Sequence, residues 1–388
     1  MKSHPKLVEM MRELIALPSV SATSPRWDMG NRRVVEQLGN WLQALGFEVR
    51  ITPLANPDKA NLIATYGRGE GGLVLAGHTD TVPYDDSRWQ SDPFVLTERD
   101  QRFYGLGSAD MKGFFALVIE AVSALLDQDF TAPLIILGTA DEESSMDGAR
   151  ALVQADVLGA RYAIVGEPTG LQPVRAHKGI IMEAITITGR SGHSSNPALG
   201  NSALEAMHEV IGELIGLRGE LQSRYRHPGF DIPSPTLNLG CIHGGDNPNR
   251  ICGQCELHFD IRAVPGMETD VVRQQIEQRL QPIAEQRRIN IGLRSLIGGV
   301  EAYEQAVDSE LVKVSEQLSG KPSRTVNFAT EAPFFQKLGM QTLVMGPGSI
   351  DQAHQPDEFM ALDQIEPGVE LLRQLIHRFC IAPGTAER

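Results

Sequence analysis

Cysteine is scarce in this chain: Cys241, Cys252, Cys255 and Cys380 are the only four among 388 residues. That is too few to staple a chain of this size, so stability has to come from buried apolar cores, and the count suits a reducing compartment. Long apolar runs are missing as well, since none approaches the ~20 residues that span a bilayer. The first twenty residues, MKSHPKLVEMMRELIALPSV, carry Glu9, Arg12 and Glu13 inside their apolar pattern. They lack the uninterrupted centre of a signal peptide, so an amphipathic helix and a cytoplasmic location are expected. Basic residues are in deficit, with 35 Lys and Arg against 49 Asp and Glu and a formal charge of −14. No basic stretch offsets this locally, which argues against nucleic acid or an anionic membrane as partner.

Several catalytic signatures are also absent. No GxxxxGK[ST] phosphate loop and no GxSxG elbow occurs. GLGSAD, residues 105–110, places Asp110 where a dinucleotide fingerprint needs its third glycine. Cys252 and Cys255 form a CxxC without a second one elsewhere. In RICGQCELHFDIR, Ile251, Cys255, Leu257, Phe259 and Ile261 share one strand face, and Cys252 is expected on the other with Gln254, Glu256, His258 and Asp260. Cysteines facing opposite ways cannot readily share an ion, so a structural role is expected.

The remaining pattern is that of an α/β protein. Helical periods at 5–17 and 31–45, the latter stopped by Gly46, precede the strand-like runs FEVRITPL, NLIATYG, LVLAG, LIILGT and YAIVG. The apolar MKGFFALVIEAVSALL reads as a crossover helix with Asp110 as its N-cap. Continuous Val, Ile and Leu runs separated by helices indicate a mostly parallel sheet covered by helices. From about residue 180 the order becomes β-α-β-β-α-β, the ferredoxin-like split βαβ arrangement, and near 295 the first pattern resumes. The expected organisation is a discontinuous α/β domain, 1–179 and 296–388, with an inserted domain at 180–295.

Acidic and imidazole side chains recur where strand-like runs end. LVLAG leads to His78 and Asp80, LIILGTAD to Glu142 and Glu143, YAIVG to Glu167, and LVMGPGSIDQAH to His354, while Asp110 opens the crossover helix. The carboxyl ends of parallel strands line one edge, so five segments converge on one crevice. Carboxylates crowded in this way repel unless a cation sits among them, and two imidazoles with several carboxylates suit zinc or a similar divalent ion. Arg262, ending HFDIR, can grip an α-carboxylate through two parallel bonds. Asn249 and Arg250 in NPNR are further substrate candidates, and Glu331 in ATEAPF is a candidate contact for a cationic side chain.

The ordered motifs GHTDTVP, GLGSADMKG, ADEE, GEPT, GRSGHSSNP and the late His354 resemble those of the di-zinc M20 metallopeptidase family over essentially the whole chain. The resemblance implies that Asp110 bridges two metals, with His78 and Glu167 completing one site and Glu143 and His354 the other. It makes Glu142 the general base and Asp80 the group that orients His78, and it implies a cis peptide after Asp110. It further implies that His193 reaches the site of a partner subunit to hold the oxyanion, that the inserted domain serves as lid and dimerisation surface, and that the metal is zinc, with cobalt as the alternative. The implied reaction is hydrolysis of an N-acyl amino acid. Its narrowest form converts N2-acetyl-L-ornithine to L-ornithine and acetate, in arginine biosynthesis. Other M20 activities, such as aminoacylase, dipeptidase or succinyl-diaminopimelate desuccinylase, stand as alternatives, and a catalytically inactive metal-stabilised binding protein stands behind them.

Overall fold

A computed structural model describes residues 5–155 and 159–381. The chain divides into two compact units. The first runs up to Arg175, returns at Gln305–Arg324 and continues from Thr330; the second comprises Ala176–Glu304 and Thr325–Ala329. The chain leaves and re-enters the first unit at 175 and 305, rather than at the expected 179 and 296. Strand Val174–His177 carries it across, and within the second unit Ala176 and His177 pair with Glu304 and Tyr303.

In the first unit, strands Leu134–Thr139, Leu73–His78, Tyr162–Pro168 and Gln341–Gly346 lie side by side and parallel. Leu73–His78, Leu134–Thr139 and Tyr162–Pro168 are buried along their whole length. Both faces are covered, so apolar runs without alternation are the sequence that fits. Outside this block, Ala60–Tyr66 and Glu48–Pro53 join antiparallel, as does Val174–His177 on the other side. The sheet is mixed with a parallel centre, and that centre delivers the residues discussed below.

The helices cover the sheet with apolar faces spaced as periodicity requires. Helix Arg32–Leu45 buries Val34, Val35, Leu38, Trp41, Leu42 and Leu45. It stops because Gly46 takes a left-handed φ of 96°, letting the Gly46 and Phe47 N–H groups donate back to Gln43 and Leu42 carbonyls. The crossover helix Lys112–Ser123 is apolar nearly all round and buried. Its N-cap is Met111, with no side-chain cap, so the expected capping role of Asp110 fails. The Asp110 carboxylate is turned toward His78 instead.

The second unit has the order βαββαβ, with a four-stranded antiparallel sheet in the spatial order Thr236–Gly244, Gln254–Ala263, Gly179–Thr188, Asn290–Ser295. Helices Ala203–Arg224 and Thr269–Arg287 pack on one face, where Ile181, Ile185, Leu257, Phe259 and Ile261 point. Strand Gln254–Ala263 alternates as expected, but Cys252 precedes it. Strand alternation therefore does not apply to Cys252, which shares the apolar core with Cys255. Both thiols are free. No helix among the described residues is long and apolar enough to cross a membrane.

Candidate metal centre

Three of the four parallel strands end in the acidic and imidazole groups picked out above. His78 closes its strand 1% exposed. Its Nδ1 donates to the Asp80 backbone carbonyl at 3.0 Å, and Nε2, the nitrogen left to take a proton or a metal ion, lies 3.0 Å from Asp110 Oδ1 and 4.0 Å from Glu167 Oε1. Asp80 was expected to orient the ring, and a carboxylate is the part of it that the sequence shows. That oxygen lies 3.7 Å away, outside hydrogen-bond reach, so the backbone carbonyl does the holding. The Asp80 carboxylate instead accepts the Glu143 N–H at 3.1 Å, tying the ends of two strands together.

Asp110 turns its second oxygen toward the other imidazole, 3.8 Å from His354 Nε2. His354 Nε2 lies 2.9 Å from Glu143 Oε2. One carboxylate thus faces two histidines, each of which has a glutamate of its own. The donors of His78, Asp110 and Glu167 fall within 4.8 Å of one another, and so do those of Asp110, Glu143 and His354. A third grouping, His78 with Glu142 and Glu143, overlaps both. The Asp110–Met111 peptide is cis.

Charge crowding dominates the electrostatics. Burial first, and then the neighbouring charge of Glu167, pushes the Glu142 carboxyl well above the usual range. Glu167 is raised by burial and by Asp110. Burial works against protonation of His78, but its hydrogen bond to Asp110 and the surrounding carboxylates outweigh it and hold the pKa well above normal. His354 rises to about 9, chiefly through its bond to Glu143. Buried Glu143 Oε1 and Asp80 Oδ1 have no hydrogen-bond partner. Imidazole nitrogens, carboxylate oxygens and an orphaned ligand oxygen form a donor set suited to a pair of divalent cations sharing Asp110.

Glu142 stands beside both donor groups on the turn after strand Leu134–Thr139. Its neighbour Asp141 has a left-handed φ of 62°. Two anchors absent from the sequence reading hold that residue. Lys59 Nζ donates to Asp141 Oδ1 at 2.7 Å and to Asp28 at 2.8 Å, and Ser21 Oγ donates to Asp141 at 2.7 Å. Neither belongs to a motif, and their contacts span 82 and 120 residues, so no local signal points to them.

Glu331 is fully buried, with Thr139 Oγ1 2.8 Å from its Oε2 and its pKa pushed up to about 7 by burial. It lies beneath the site with no surface to offer, so the expected contact with a substrate side chain is not what the fold provides.

The remaining candidates belong to the second unit. His193 is exposed in a loop that pairs with the Asn249–Arg250 turn, the Ser194 N–H donating to the Asn249 carbonyl at 3.0 Å. Its Nδ1 accepts the Ser195 N–H at 3.2 Å, which puts the ring proton on Nε2 and makes that nitrogen a donor. Arg250 pairs with Asp246 and lines an open cavity of about 800 Å³ with Ser194, Asn247 and Arg287. Arg262 Nε donates to Asp260 at 3.0 Å.

A model of peptidase family M20/M25/M40 matches residues 74–378. An acetylornithine deacetylase from Pasteurella multocida is 52% identical over 381 residues, covering 98% of this chain and all of the relative. Among solved structures, an M20 family metallo-carboxypeptidase from Sulfolobus solfataricus superposes with a TM-score of 0.77 at 19% identity, covering 96% of this chain and 99% of that one. A dinuclear metal-binding M20 peptidase from Bacillus subtilis superposes with a TM-score of 0.66 at 14% identity, covering 96% and 98%.

Proposed function

The chain belongs to peptidase family M20/M25/M40, and from that premise we propose that it hydrolyses the acetamide bond of N2-acetyl-L-ornithine, releasing L-ornithine and acetate. The observation that carries the reading is the pair of donor groups sharing Asp110 with Glu142 beside them. The substrate is narrowed by the activity named for the relative that is 52% identical along the whole chain.

His78 and Glu167 would hold one ion, Glu143 and His354 the other, and Asp110 both, with zinc the first choice and cobalt the second. Bound there, such ions polarise a carbonyl oxygen and bring the ionisation of water toward neutral pH. Glu142 accepts the proton of the attacking water and passes it to the departing amine. Burial, and after it the charge of Glu167, raises its affinity for that proton, which suits a group that must take it up and hand it on. The Asp80 carbonyl keeps the His78 proton on Nδ1, so the ring presents its lone pair at Nε2.

The second unit supplies the remaining groups in this reading. His193 Nε2–H donates to the developing oxyanion of a substrate held by a partner copy, making the working form a homodimer joined through the second unit. Arg262 grips the α-carboxylate, with Asn249 and Arg250 beside the loop that carries His193. The reaction would serve arginine biosynthesis in the cytoplasm.

Steady-state rates on a panel of N-acyl amino acids test the assignment. N2-acetyl-L-ornithine is expected to give the highest kcat/KM. A higher value for N-succinyl-diaminopimelate, or for neutral N-acetyl amino acids, would move the protein elsewhere in the family.

A further inference from the structure

Glu358 is four residues beyond His354, 1% exposed, and has no ion pair among the described residues. Its carboxylate is filled by backbone donors instead. Oε1 accepts the N–H groups of Ala109 at 2.8 Å and Asp110 at 2.9 Å, and Oε2 accepts the N–H of Gly107 at 3.0 Å. Its own carbonyl accepts the Gly105 N–H at 3.0 Å and the Ser108 hydroxyl at 3.4 Å. Every one of these partners lies in the loop that ends at Asp110.

The placement follows from the strands on either side. Phe359–Ala361 pairs antiparallel with Arg102–Tyr104, Phe359 opposite Tyr104, which sets Glu358 against the loop beginning at Gly105. Gly107, at φ 85°, turns the chain so that successive N–H groups converge into a concave anion-holding nest. The left-handed φ at Gly107 is the conformation that favours glycine there.

Burying a carboxyl group beside Asp110 is electrostatically unfavourable, offset in part by the buried Lys112, but an apolar residue here would leave the Gly107, Ala109 and Asp110 N–H groups buried without an acceptor. What this group adds beyond satisfying those donors is orientation, because three hydrogen bonds from one loop to a single buried side chain leave little freedom in the peptide that carries Asp110. We propose that Glu358 is a positioning residue that fixes the 107–110 loop so that Asp110 presents one oxygen to each donor group. This rests on reading Asp110 as the shared ligand of two metals.

Cobalt titration of the metal-free protein, followed by visible absorption, tests it in the parent, Glu358→Gln and Glu358→Asp. In Glu358→Gln the amide NH2 faces backbone N–H donors, so at least one loop hydrogen bond is lost. The expected result is a cobalt affinity weaker by about 10–100-fold at one or both sites, a lower kcat and a KM within twofold of the parent. Glu358→Asp keeps both acceptor oxygens and is expected to recover part of the affinity. Parental affinity and kcat in Glu358→Gln would overturn the proposal, and so would a lower unfolding midpoint with both quantities intact. Should Glu358→Gln fail to fold, Glu358→Asp decides: weakened affinity supports the proposal and parental affinity overturns it. If the parent itself binds no cobalt, the metal-centre reading fails and not this step alone.

Discussion

Replacing Lys59 by methionine tests whether the turn carrying Glu142 is held from behind. The ammonium bridges Asp141 at 2.7 Å and Asp28 at 2.8 Å, with side-chain exposures of 9% for Lys59, 8% for Asp141 and 22% for Asp28. Methionine keeps the length and apolar stem but removes the charge, leaving Asp141 buried without its cation. Breaking a buried pair from one side costs roughly 3–5 kcal/mol. Asp28 can recover water at its exposed edge, so the lower end, about 3 kcal/mol, is expected for the first unit. Burial alone lowers the Lys59 pKa, but its bonds to Asp141 and Asp28 prevail and raise it above 10.5. Its contribution is therefore fully present below pH 10.5 and fades as pH climbs through the raised value, where parent and variant should converge. Urea unfolding of metal-free protein at pH 7.5 measures the difference from the midpoint and slope. The double variant Lys59→Met/Asp141→Asn should regain part of the loss, because the stranded charge is gone. A single variant within about 0.5 kcal/mol of the parent, the level of an ordinary surface change, would refute the reasoning.

Two other perturbations bear on separate parts of the structure. Glu142→Gln should lower kcat by roughly 10²–10⁴-fold while leaving cobalt stoichiometry at the parental value, as read by rapid-mixing kinetics and titration; a loss of metal instead would make Glu142 a ligand. His177, fully buried and donating from Nδ1 to the Lys178 carbonyl, has its pKa pushed down to about 4 by burial. Because the unfolded chain binds this proton near 6.5, stability should fall as pH drops from 6.5 to 4, by up to roughly 3 kcal/mol. His177→Phe should flatten that slope in urea melts across the range, and an unchanged slope would contradict it.

The parts of this molecule that can be read from the sequence are those whose signal is local. A strand buried on both faces reads as an apolar run, and where such runs are parallel their ends share an edge, so His78, Glu142, Glu143 and Glu167 could be grouped without coordinates. The pairing direction of the outer strands leaves no comparable trace. Asp110 was open to a capping reading because an acidic residue before a helix has the same appearance whether it caps or faces a histidine. Cys252 was assigned to a strand face although the strand begins only at Gln254. The hold on His78 comes from a backbone carbonyl, which carries no residue identity. Glu358 and Lys59 act across 248 and 82 residues on backbone or side-chain atoms of the site loops, and only folding brings them there.

Metal dependence is the central claim, and reconstitution measures it most directly. Protein stripped with chelator is titrated with zinc while hydrolysis of N2-acetyl-L-ornithine is followed and bound metal is counted. Activity should be absent from the stripped protein and should rise with zinc as the two donor groups sharing Asp110 fill. Hydrolysis that persists after complete removal of metal would contradict the claim.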